Sequence, residues 1–300
     1  MSGPCLVCAA AGSRPKLAVG GYSIVKCQSC GFEWVDPRPS AAQLSTFYGD
    51  ERYFAGCEAG YADYEAEEPG HRRLARRRLA WMERRLPGGR LVDMGCGPGF
   101  FVDEAARRGW SAWGTEISAP MRQRAEARGL RVLAADDERG LAEPAPLDAV
   151  TMWEYIEHVP DPAAELGRAA ALLRPGGVLA LSTPNVAHRL ASSDPARWPE
   201  YKPPAHLSFF DATTLGRLLE RAGFDRLEVR YAVPRFGGGG MTARLLDRIG
   251  KAFGTGRDRR TSLWWLYSAA YRLHAAPAWT AATFAPARYS LGLEVLARRR

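Results

Sequence analysis

Short apolar segments alternate with amphipathic ones in the middle of the chain, and this alternation predicts strands separated by helices. Residues 91–94 and 147–153 are nearly continuous in apolar side chains, as expected of strands buried on both faces. Residues 166–173 have helical spacing, and Arg174-Pro175-Gly176-Gly177 is expected to end that helix and turn into the next strand. Further strands are predicted at residues 111–116, 131–134 and 178–182.

The pattern continues toward the C-terminus. Residues 213–222 form a predicted amphipathic helix that Gly223 stops. Residues 227–233 alternate as a strand, and residues 293–297 supply the expected last strand.

An insertion at residues 236–290 separates these two strands. It opens with four consecutive glycines, Gly237 to Gly240, which predict a hinge or turn. Residues 241–253 and 263–274 have helical spacing, and the second part is aromatic and apolar. Its aromatic residues are Trp264, Trp265, Tyr267, Tyr271 and Trp279. Three interpretations stay open: a substrate lid, a homodimer contact, and a membrane-interface segment over residues 241–284, whose basic side chains are Arg257, Arg259 and Arg260.

Composition allows one large domain with small appendages. The chain has 300 residues, of which 46% are hydrophobic, and this is enough for a full core. No apolar run approaches the ~20 residues of a membrane span, and the N-terminus lacks a basic segment followed by an apolar one. We therefore expect a cytoplasmic protein.

The formal net charge of +8 comes almost wholly from arginine, since the chain has only four lysines. The densest arginine cluster, residues 72–86, has Leu74, Leu79, Met82 and Leu86 at helical spacing, so one face packs and the other is charged. We interpret this segment as a solvated helix face. A surface for nucleic acid or another anionic ligand is the disfavoured alternative.

Six cysteines include two C-x-x-C pairs separated by eighteen residues, the spacing of a four-cysteine zinc ribbon. Gly31 follows the second pair and can supply the positive φ that turns backbone amides toward a thiolate. Four thiolates leave no open coordination position, so we expect a structural zinc ion. The predicted ligands are Cys5, Cys8, Cys27 and Cys30, and the remaining cysteines are Cys57 and Cys96.

Three glycines at alternate positions, Gly95, Gly97 and Gly99, follow the strand at residues 91–94. A strand-to-helix turn of this kind brings bare backbone against a ligand. Glu116 ends the next predicted strand, where a carboxylate can accept both hydroxyls of a ribose. The two features together predict a site for an adenosine-containing cofactor.

With Asp93 two positions before the first glycine, this segment resembles motif I of class I S-adenosylmethionine (SAM) methyltransferases. EHVPDP, LRPGG, STPN and H-x-x-F follow at residues 157–162, 173–177, 182–185 and 206–209, in the order typical of that family. The resemblance covers residues 70–235. It implies a Rossmann-like, seven-stranded class I methyltransferase fold of the α/β class that uses SAM. Residues 30–39 also resemble the CGFxWxDPRP segment of a zinc-ribbon subgroup.

The resemblance implies a role for each matching residue. Asp93 is expected near the methionine portion of SAM, Glu116 on the ribose hydroxyls, and Asp136 opposite the adenine amine, with Asp137 as the adjacent alternative. The implied cofactor-binding set is Asp93, Gly95, Cys96, Gly97, Gly99, Glu116, Asp136 and Trp153.

Methyl transfer from a sulfonium needs little beyond positioning of the acceptor and exclusion of water. Glu154, Glu157 and His158 resemble residues of ubiquinone-biosynthesis O-methyltransferases that are implicated in divalent-metal binding, and such a metal would lower the pKa of a phenol. His158 is alternatively a general base, or it hydrogen-bonds the following turn. His206 is a second acid–base candidate, with a structural role equally open.

We therefore expect a SAM-dependent methyltransferase that acts on an oxygen of a small molecule: a sugar or glycan precursor, a quinone-like phenol or a secondary metabolite. A modifier of RNA or protein that uses the ribbon for recognition, and a non-catalytic SAM-binding scaffold, are the alternatives. The expected organisation is a ribbon (1–40), a linker (41–70), a SAM-binding core (71–235), a helical insertion or lid (236–290) and a final core strand (291–300).

Overall fold

The computed structural model describes residues 3–49, 67–142, 145–232, 280 and 283–300. Its strands are β1 (Ser13–Val19), β2 (Tyr22–Cys27), β3 (Glu33–Val35), β4 (Arg90–Met94), β5 (Ser111–Glu116), β6 (Val132–Ala134), β7 (Leu147–Trp153), β8 (Leu173–Pro184), β9 (Ser208–Phe209), β10 (Phe224–Ala232) and β11 (Gly292–Arg299). Its helices are α1 (Ala41–Gly49), α2 (Glu68–Met82), α3 (Phe100–Arg107), α4 (Ala119–Ala127), α5 (Glu138–Ala142), α6 (Pro162–Leu172), α7 (Arg189–Ser193), α8 (Ala212–Arg221) and α9 (Pro286–Tyr289).

Seven strands form the main sheet, in the order β10-β11-β8-β7-β4-β5-β6. The five strands from β8 to β6 are parallel, and β11 lies antiparallel between β8 and β10. This sheet confirms the predicted seven-stranded fold, including the return of the last strand into the core. The strand order reverses at β4, and in open α/β sheets ligands bind at the carboxyl ends of the strands beside such a point.

The side chains of alternate residues in the parallel strands are buried on opposite faces of this sheet. Leu91 and Ala149 pack with Trp81 of α2 and Phe101 of α3. Val92, Val150 and Met152 belong to a second cluster, formed with side chains of α6 and α8. Helices therefore cover both faces, which explains the nearly continuous apolar composition of the strands.

Two aspartates set the starts of the helices on the second face. Asp161 precedes α6, and its Oδ1 accepts hydrogen bonds from Ala163 N at 2.9 Å and Ala164 N at 3.0 Å, with Pro162 in the first turn. Asp211 caps α8 in the same way, and the Thr214 hydroxyl accepts in return from Asp211 N. The Asp-Pro of EHVPDP is thus a helix start signal.

The LRPGG segment differs from the prediction. The helix ends at Leu172, but Leu173 already pairs with Leu147 of β7, and β8 continues from there through Pro184. The register shifts before Ala149 pairs with Val178. Arg174 to Gly177 are therefore an irregularity within the strand, not a turn before it, because pairing with β7 begins directly at the end of the helix.

The arginine-rich helix α2 uses part of its charge internally. Arg72 contacts the carboxylates of Glu68, Asp103 and Glu104, and Arg78 contacts that of Glu294, while both arginine side chains are mostly buried. The helix is amphipathic as predicted, but its packed face differs in part: Leu79 and Met82 are buried together with Ala75 and Trp81, whereas Leu74 is half-buried and Leu86 lies beyond the end of the helix.

The N-terminal strands form a second sheet, in the order β1-β2-β3-β9. Its fourth strand, β9, comes from the core, so the N-terminal segment and the core share one sheet. Val35 N also donates to Leu207 O at 3.0 Å. Glu33 is buried between Lys16, Lys26 and the hydroxyl of Tyr201, and the apolar side chains of β2 and β3 pack with Trp198 and Phe209.

Several predicted features lie outside the described residues. These are the Gly237 to Gly240 hinge, the helices at 241–253 and 263–274 with their aromatic residues, Arg257, Arg259, Arg260 and Cys57. Within the described ranges, no helix combines the length and the apolar character needed to cross a membrane.

Candidate active site

The turn after β4 has a left-handed backbone at each of its three alternate glycines. Gly95, Gly97 and Gly99 have φ angles of 75°, 54° and 84°, a region that other residues rarely adopt. A Cβ atom on Gly95 would collide with the Tyr155 ring, and one on Gly99 would collide with the Leu130 side chain. Gly95 and Gly97 line a cavity beside this turn, whereas Gly99 directly precedes α3.

Glu116 ends β5 beside this turn, as predicted. Its Oε2 accepts from Gly97 N and its Oε1 from Ser118 N, both at 2.9 Å, and the residue is only 6% exposed. Burial raises the pKa of the Glu116 carboxyl, and the hydrogen bonds from Ser118 N and Gly97 N partly oppose that rise. Each carboxylate oxygen has a second lone pair, so Glu116 can hold the turn and still accept from a ligand in the cavity.

Asp93 and Cys96 lie behind the turn and do not line the cavity. Asp93 Oδ1 accepts from the Thr151 hydroxyl at 2.6 Å, which links β4 to β7. Burial raises the pKa of Asp93 to about 7, although the Thr151 bond and Arg78 lower it. The buried Cys96 side chain packs against Gly114, where an added Cβ would collide with its sulfur. The structure therefore gives both residues contacts that support the turn.

Asp136 follows β6 and is exposed, and the cavity is lined by its neighbour Ala135. Asp137 Oδ1 accepts from Gly140 N at 2.9 Å, at the start of α5. Neither aspartate lines the cavity.

The cavity has a volume of about 400 Å³ and collects residues from three parts of the chain. The glycine turn, together with the residues at the carboxyl ends of β5 and β6, contributes one part of the wall. Residues from the end of β7 to the start of α6 contribute another, and Leu44 and Tyr48 of α1 contribute the third. The second part consists of Trp153, Glu154, Tyr155, His158, Val159, Pro160, Asp161, Ala164 and Glu165.

Trp153 and Glu154 share a contact with Arg78 of α2. The Arg78 guanidinium lies 4.3 Å from the centre of the Trp153 ring, within cation–π range. Glu154 Oε1 accepts from the Ser182 hydroxyl at 2.6 Å and lies 3.7 Å from Arg78 Nη2. Glu154 thus has its own partners, and it is not part of the cluster that Glu157 and His158 form.

That cluster contains His206 instead. The side chains of Glu157, His158 and His206 offer ligand atoms within 4.8 Å of one another. His158 Nε2 lies 3.8 Å from Glu157 Oε1, and the two imidazole rings are in edge contact with centroids 4.7 Å apart. Glu157 is 1% exposed, and neither of its carboxylate oxygens accepts a hydrogen bond of good geometry in the described part of the chain.

Both histidines of the cluster are held by backbone carbonyls. His158 Nδ1 lies 2.8 Å from Ala205 O, and His206 Nδ1 lies 3.0 Å from Glu200 O. Burial lowers the pKa of His158 to about 4, which the Ala205 carbonyl partly opposes, and burial lowers the pKa of His206 well below its usual value. Both rings are therefore neutral at pH 7. Because a carbonyl only accepts, the proton sits on Nδ1 and the lone pair on Nε2.

Tyr48 is a cavity residue that the sequence analysis did not single out. Its hydroxyl lies 2.9 Å from His158 Nδ1 and 3.0 Å from Ala205 O. The sequence analysis predicts a linker over residues 41–70, whereas residues 41–49 form α1; the four-residue spacing of Leu44 and Tyr48, which places both on one helix face, was the available signal. Sequence alone did not indicate which surface that face would contact.

The four ribbon cysteines converge as predicted. Their sulfurs form one group, with Cys5 and Cys30 at 3.6 Å and Cys8 and Cys27 at 3.7 Å. Tetrahedral Zn–S bonds of about 2.3 Å place sulfurs about 3.8 Å apart, so this donor set fits zinc. Gly31 has the expected left-handed φ of 81°, and Cys30 N approaches Cys27 Sγ at 3.5 Å.

A family model described as a methyltransferase domain matches residues 64–229. The chain is 36% identical over 143 residues to the ubiquinone biosynthesis O-methyltransferase of Xylella fastidiosa (strain 9a5c), a match that covers 44% of this chain and 57% of that protein. It therefore spans little more than half the length of this curated relative.

Two solved structures share the fold. A SAM-dependent methyltransferase from Archaeoglobus fulgidus is 17% identical with a TM-score of 0.50, covering 83% of this chain and 97% of that one. The 1,6-didemethyltoxoflavin-N1-methyltransferase of Burkholderia thailandensis, solved with 1,6-didemethyltoxoflavin and S-adenosylhomocysteine, is 18% identical with a TM-score of 0.51, covering 95% and 98%. At these identities the likeness concerns the fold alone.

Proposed function

The chain belongs to the methyltransferase domain family, and from that premise we propose that it transfers a methyl group from SAM to an oxygen of a small molecule. The observation that carries this proposal is the shared cavity. Gly97 and Glu116 line it together with His158 and Tyr48, so a cofactor-binding group and an acid–base group face the same space. The curated relative named an O-methyltransferase supports oxygen as the acceptor atom.

The residues of the cavity fit SAM. Gly95 and Gly97 present backbone without side chains, and Glu116 retains acceptor capacity for two ribose hydroxyls. In this proposal Asp93, Cys96 and Gly99 support the turn from behind, Trp153 forms part of the wall, and the adenine lies against Ala135; the exposed Asp136 does not line the cavity and would reach the adenine amine only at the edge of the cavity. When bound, SAM supplies a methyl group already activated by the positive charge on sulfur.

His158 is the proposed general base. Its ring is neutral, its Nδ1 is engaged by a carbonyl, and its Nε2 keeps a lone pair that can take the acceptor proton. His206 packs against the His158 ring and limits its movement. The chain's own contribution is then to orient one base and to exclude water from an apolar cavity wall.

Divalent-cation binding is a second candidate role for the same cluster. The observation that favours it is the buried Glu157 carboxyl, which accepts no hydrogen bond of good geometry from the described residues and whose pKa is raised well above its usual range by burial. A bound cation would supply the partner that a buried carboxylate normally has. The ligands would be Glu157, His158 and His206, and each histidine would use Nε2 while Nδ1 donates to a carbonyl. Glu154, which the resemblance included, bonds Ser182 instead.

We propose a structural zinc ion for the cysteine cluster. The ribbon sheet includes β9 of the core, and Arg221 of α8 donates to Val7 O. These contacts on two sides favour a ribbon that stabilises the catalytic unit over one that recognises RNA or protein. Homodimer formation, peripheral membrane contact and a cytoplasmic location stay predictions, and the first two depend on residues outside the described ranges.

The test is a methyl-transfer screen against pools of catechols, sugars and hydroxylated secondary metabolites, with the modified atom located by mass fragmentation. We expect a mass gain of one methyl group on an oxygen. Parallel pools of RNA and of unfolded protein test the macromolecular alternative. Methylation confined to those pools would overturn the small-molecule proposal.

A further inference from the structure

Tyr48, which contacts His158 at Nδ1, lies outside the part of the chain that matches the methyltransferase domain. The family model begins at residue 64, whereas Tyr48 belongs to α1 in the N-terminal segment. Its side chain is 7% exposed, lines the cavity, and meets the His158 ring edge to face with centroids 5.9 Å apart. The N-terminal segment therefore contributes a wall and a polar contact to the site.

The three polar atoms at this contact determine where the protons lie. Ala205 O can only accept, so His158 Nδ1–H donates to it at 2.8 Å. The Tyr48 hydroxyl then has one consistent arrangement: it donates to Ala205 O at 3.0 Å and its oxygen accepts from His158 Nδ1–H at 2.9 Å. Two protons, the hydroxyl proton of Tyr48 and the Nδ1 proton of His158, thus account for all three contacts.

This arrangement fixes the imidazole in a single tautomer. With Nδ1–H held by two acceptors, Nε2 carries no proton. Both roles proposed for His158, removal of a proton and coordination of a cation, require a free Nε2 lone pair. If the Tyr48 oxygen were removed, the ring would keep only one of its two acceptors and gain freedom to rotate or to change tautomer.

Tyr48 is itself held rigidly. It packs in one cluster with Ile24 and Val35 of the ribbon sheet and with Trp198 and Leu207 of the segment that precedes β9. Leu207 N and Ser208 N donate to Glu157 O at 2.8 and 3.2 Å, so the same segment anchors the loop that carries His158. The segment that precedes β9 therefore fixes the position of Tyr48 relative to His158.

We propose that Tyr48 is a positioning residue that orients His158 and fixes its Nδ1–H tautomer, so that the N-terminal segment completes the active site of the methyltransferase domain. The inference rests on the proposed role of His158, but the state of the imidazole ring can be measured separately from activity.

The first experiment measures by NMR which ring nitrogen of His158 carries the proton. The full-length chain is labelled with ¹⁵N-histidine, and the His158 resonances are assigned by their loss in His158→Gln. In wild type we expect one protonated and one unprotonated ring nitrogen at neutral pH, assigned as Nδ1 and Nε2. In Tyr48→Phe, where Ala205 O is the one remaining acceptor of Nδ1–H, we expect a measurable fraction of the Nε2–H tautomer beside the Nδ1–H tautomer. Tyr22→Phe, which removes the same atom from a ribbon tyrosine that does not line the cavity, should match wild type.

The second experiment measures release of S-adenosylhomocysteine with a mixed catechol and sugar pool. Tyr48→Phe should lower turnover about fivefold, the factor that corresponds to the usual net free energy of one hydrogen bond, with unchanged SAM affinity by calorimetry. Wild-type His158 spectra and turnover in Tyr48→Phe, while His158→Gln is inactive, would overturn the Tyr48 inference alone. Full activity of His158→Gln would overturn the proposed role of His158, and the spectra would still decide the role of Tyr48.

Discussion

Replacing Glu116 with alanine separates two contributions of one carboxylate. In the folded chain Glu116 accepts from Gly97 N and Ser118 N at 2.9 Å each. Each buried N–H left without an acceptor costs about 1–3 kcal/mol, so the free energy of unfolding should fall by about 2–6 kcal/mol. Two further hydrogen bonds from ribose hydroxyls to a charged acceptor, at about 1.5 kcal/mol or more each, should weaken SAM binding at least ~100-fold.

Calorimetry with S-adenosylhomocysteine and with its 2′-deoxy analogue distinguishes the two contributions. Wild type should discriminate against the analogue, and Glu116→Ala should not, because its ribose acceptor is gone. Both titrations are made at a temperature where circular dichroism shows the variant folded, and Glu116→Gln provides a less disruptive companion. Glu126→Ala, at an exposed position of α4, is the matched control. Equal discrimination against the analogue in wild type and Glu116→Ala would refute the ribose assignment.

Three further predictions concern the turn, the ribbon and the histidine. Gly97→Val should abolish SAM binding in calorimetry because the residue lines the cavity at a φ of 54°, and retained affinity would remove the glycine turn from the site. Cys27→Ser should lower the zinc content of about one ion per chain, measured by elemental analysis, since loss of one ligand breaks the four-thiolate shell; full retention would contradict this ligand set. Burial lowers the pKa of His158 from about 6.5 in the unfolded chain to about 4 in the folded chain. Between pH 4 and pH 6.5 the unfolded state therefore binds more protons than the folded state, so the free energy of unfolding decreases as the pH falls from 6.5 toward 4. Between pH 6.5 and 5 wild type should lose about 2 kcal/mol more than His158→Gln in denaturant unfolding, and equal losses would exclude a buried neutral His158.

The cofactor end of the site could be predicted from sequence because local geometry determines it. Gly95, Gly97 and Glu116 lie at the ends of two strands that neighbour each other in the sheet, and parallel strands bring their carboxyl ends to one edge. The spacing of glycines and acid therefore carried most of the information. Asp93 belongs to the same segment, yet its carboxylate bonds Thr151 of β7, a contact that no local spacing encodes.

The acid–base end depended on contacts between distant residues. His158 and Tyr48 are 110 positions apart, and His206 reaches Glu157 because backbone amides of Leu207 and Ser208 donate to the Glu157 carbonyl. From the sequence, His158, Glu157 and His206 are all candidates, but the resemblance groups His158 and Glu157 with Glu154. The short spacing from Glu154 to Glu157 favoured that grouping. The chain turns sharply at Glu154, where φ is 51°, and this directs its carboxylate toward Ser182.

The same long-range contacts explain why the ribbon belongs to the catalytic unit. A four-cysteine segment of this size has too small a core to fold alone, and its third strand pairs with β9 of the core. The backbone just before β9 donates to Glu157 O, and Tyr48, which follows the ribbon, contacts His158. If the cysteines bind the proposed zinc ion, metal-dependent folding of the ribbon would therefore be connected through one strand and one helix to the orientation of the proposed base. An independent recognition module would not require those connections, whereas a segment that completes the active site would.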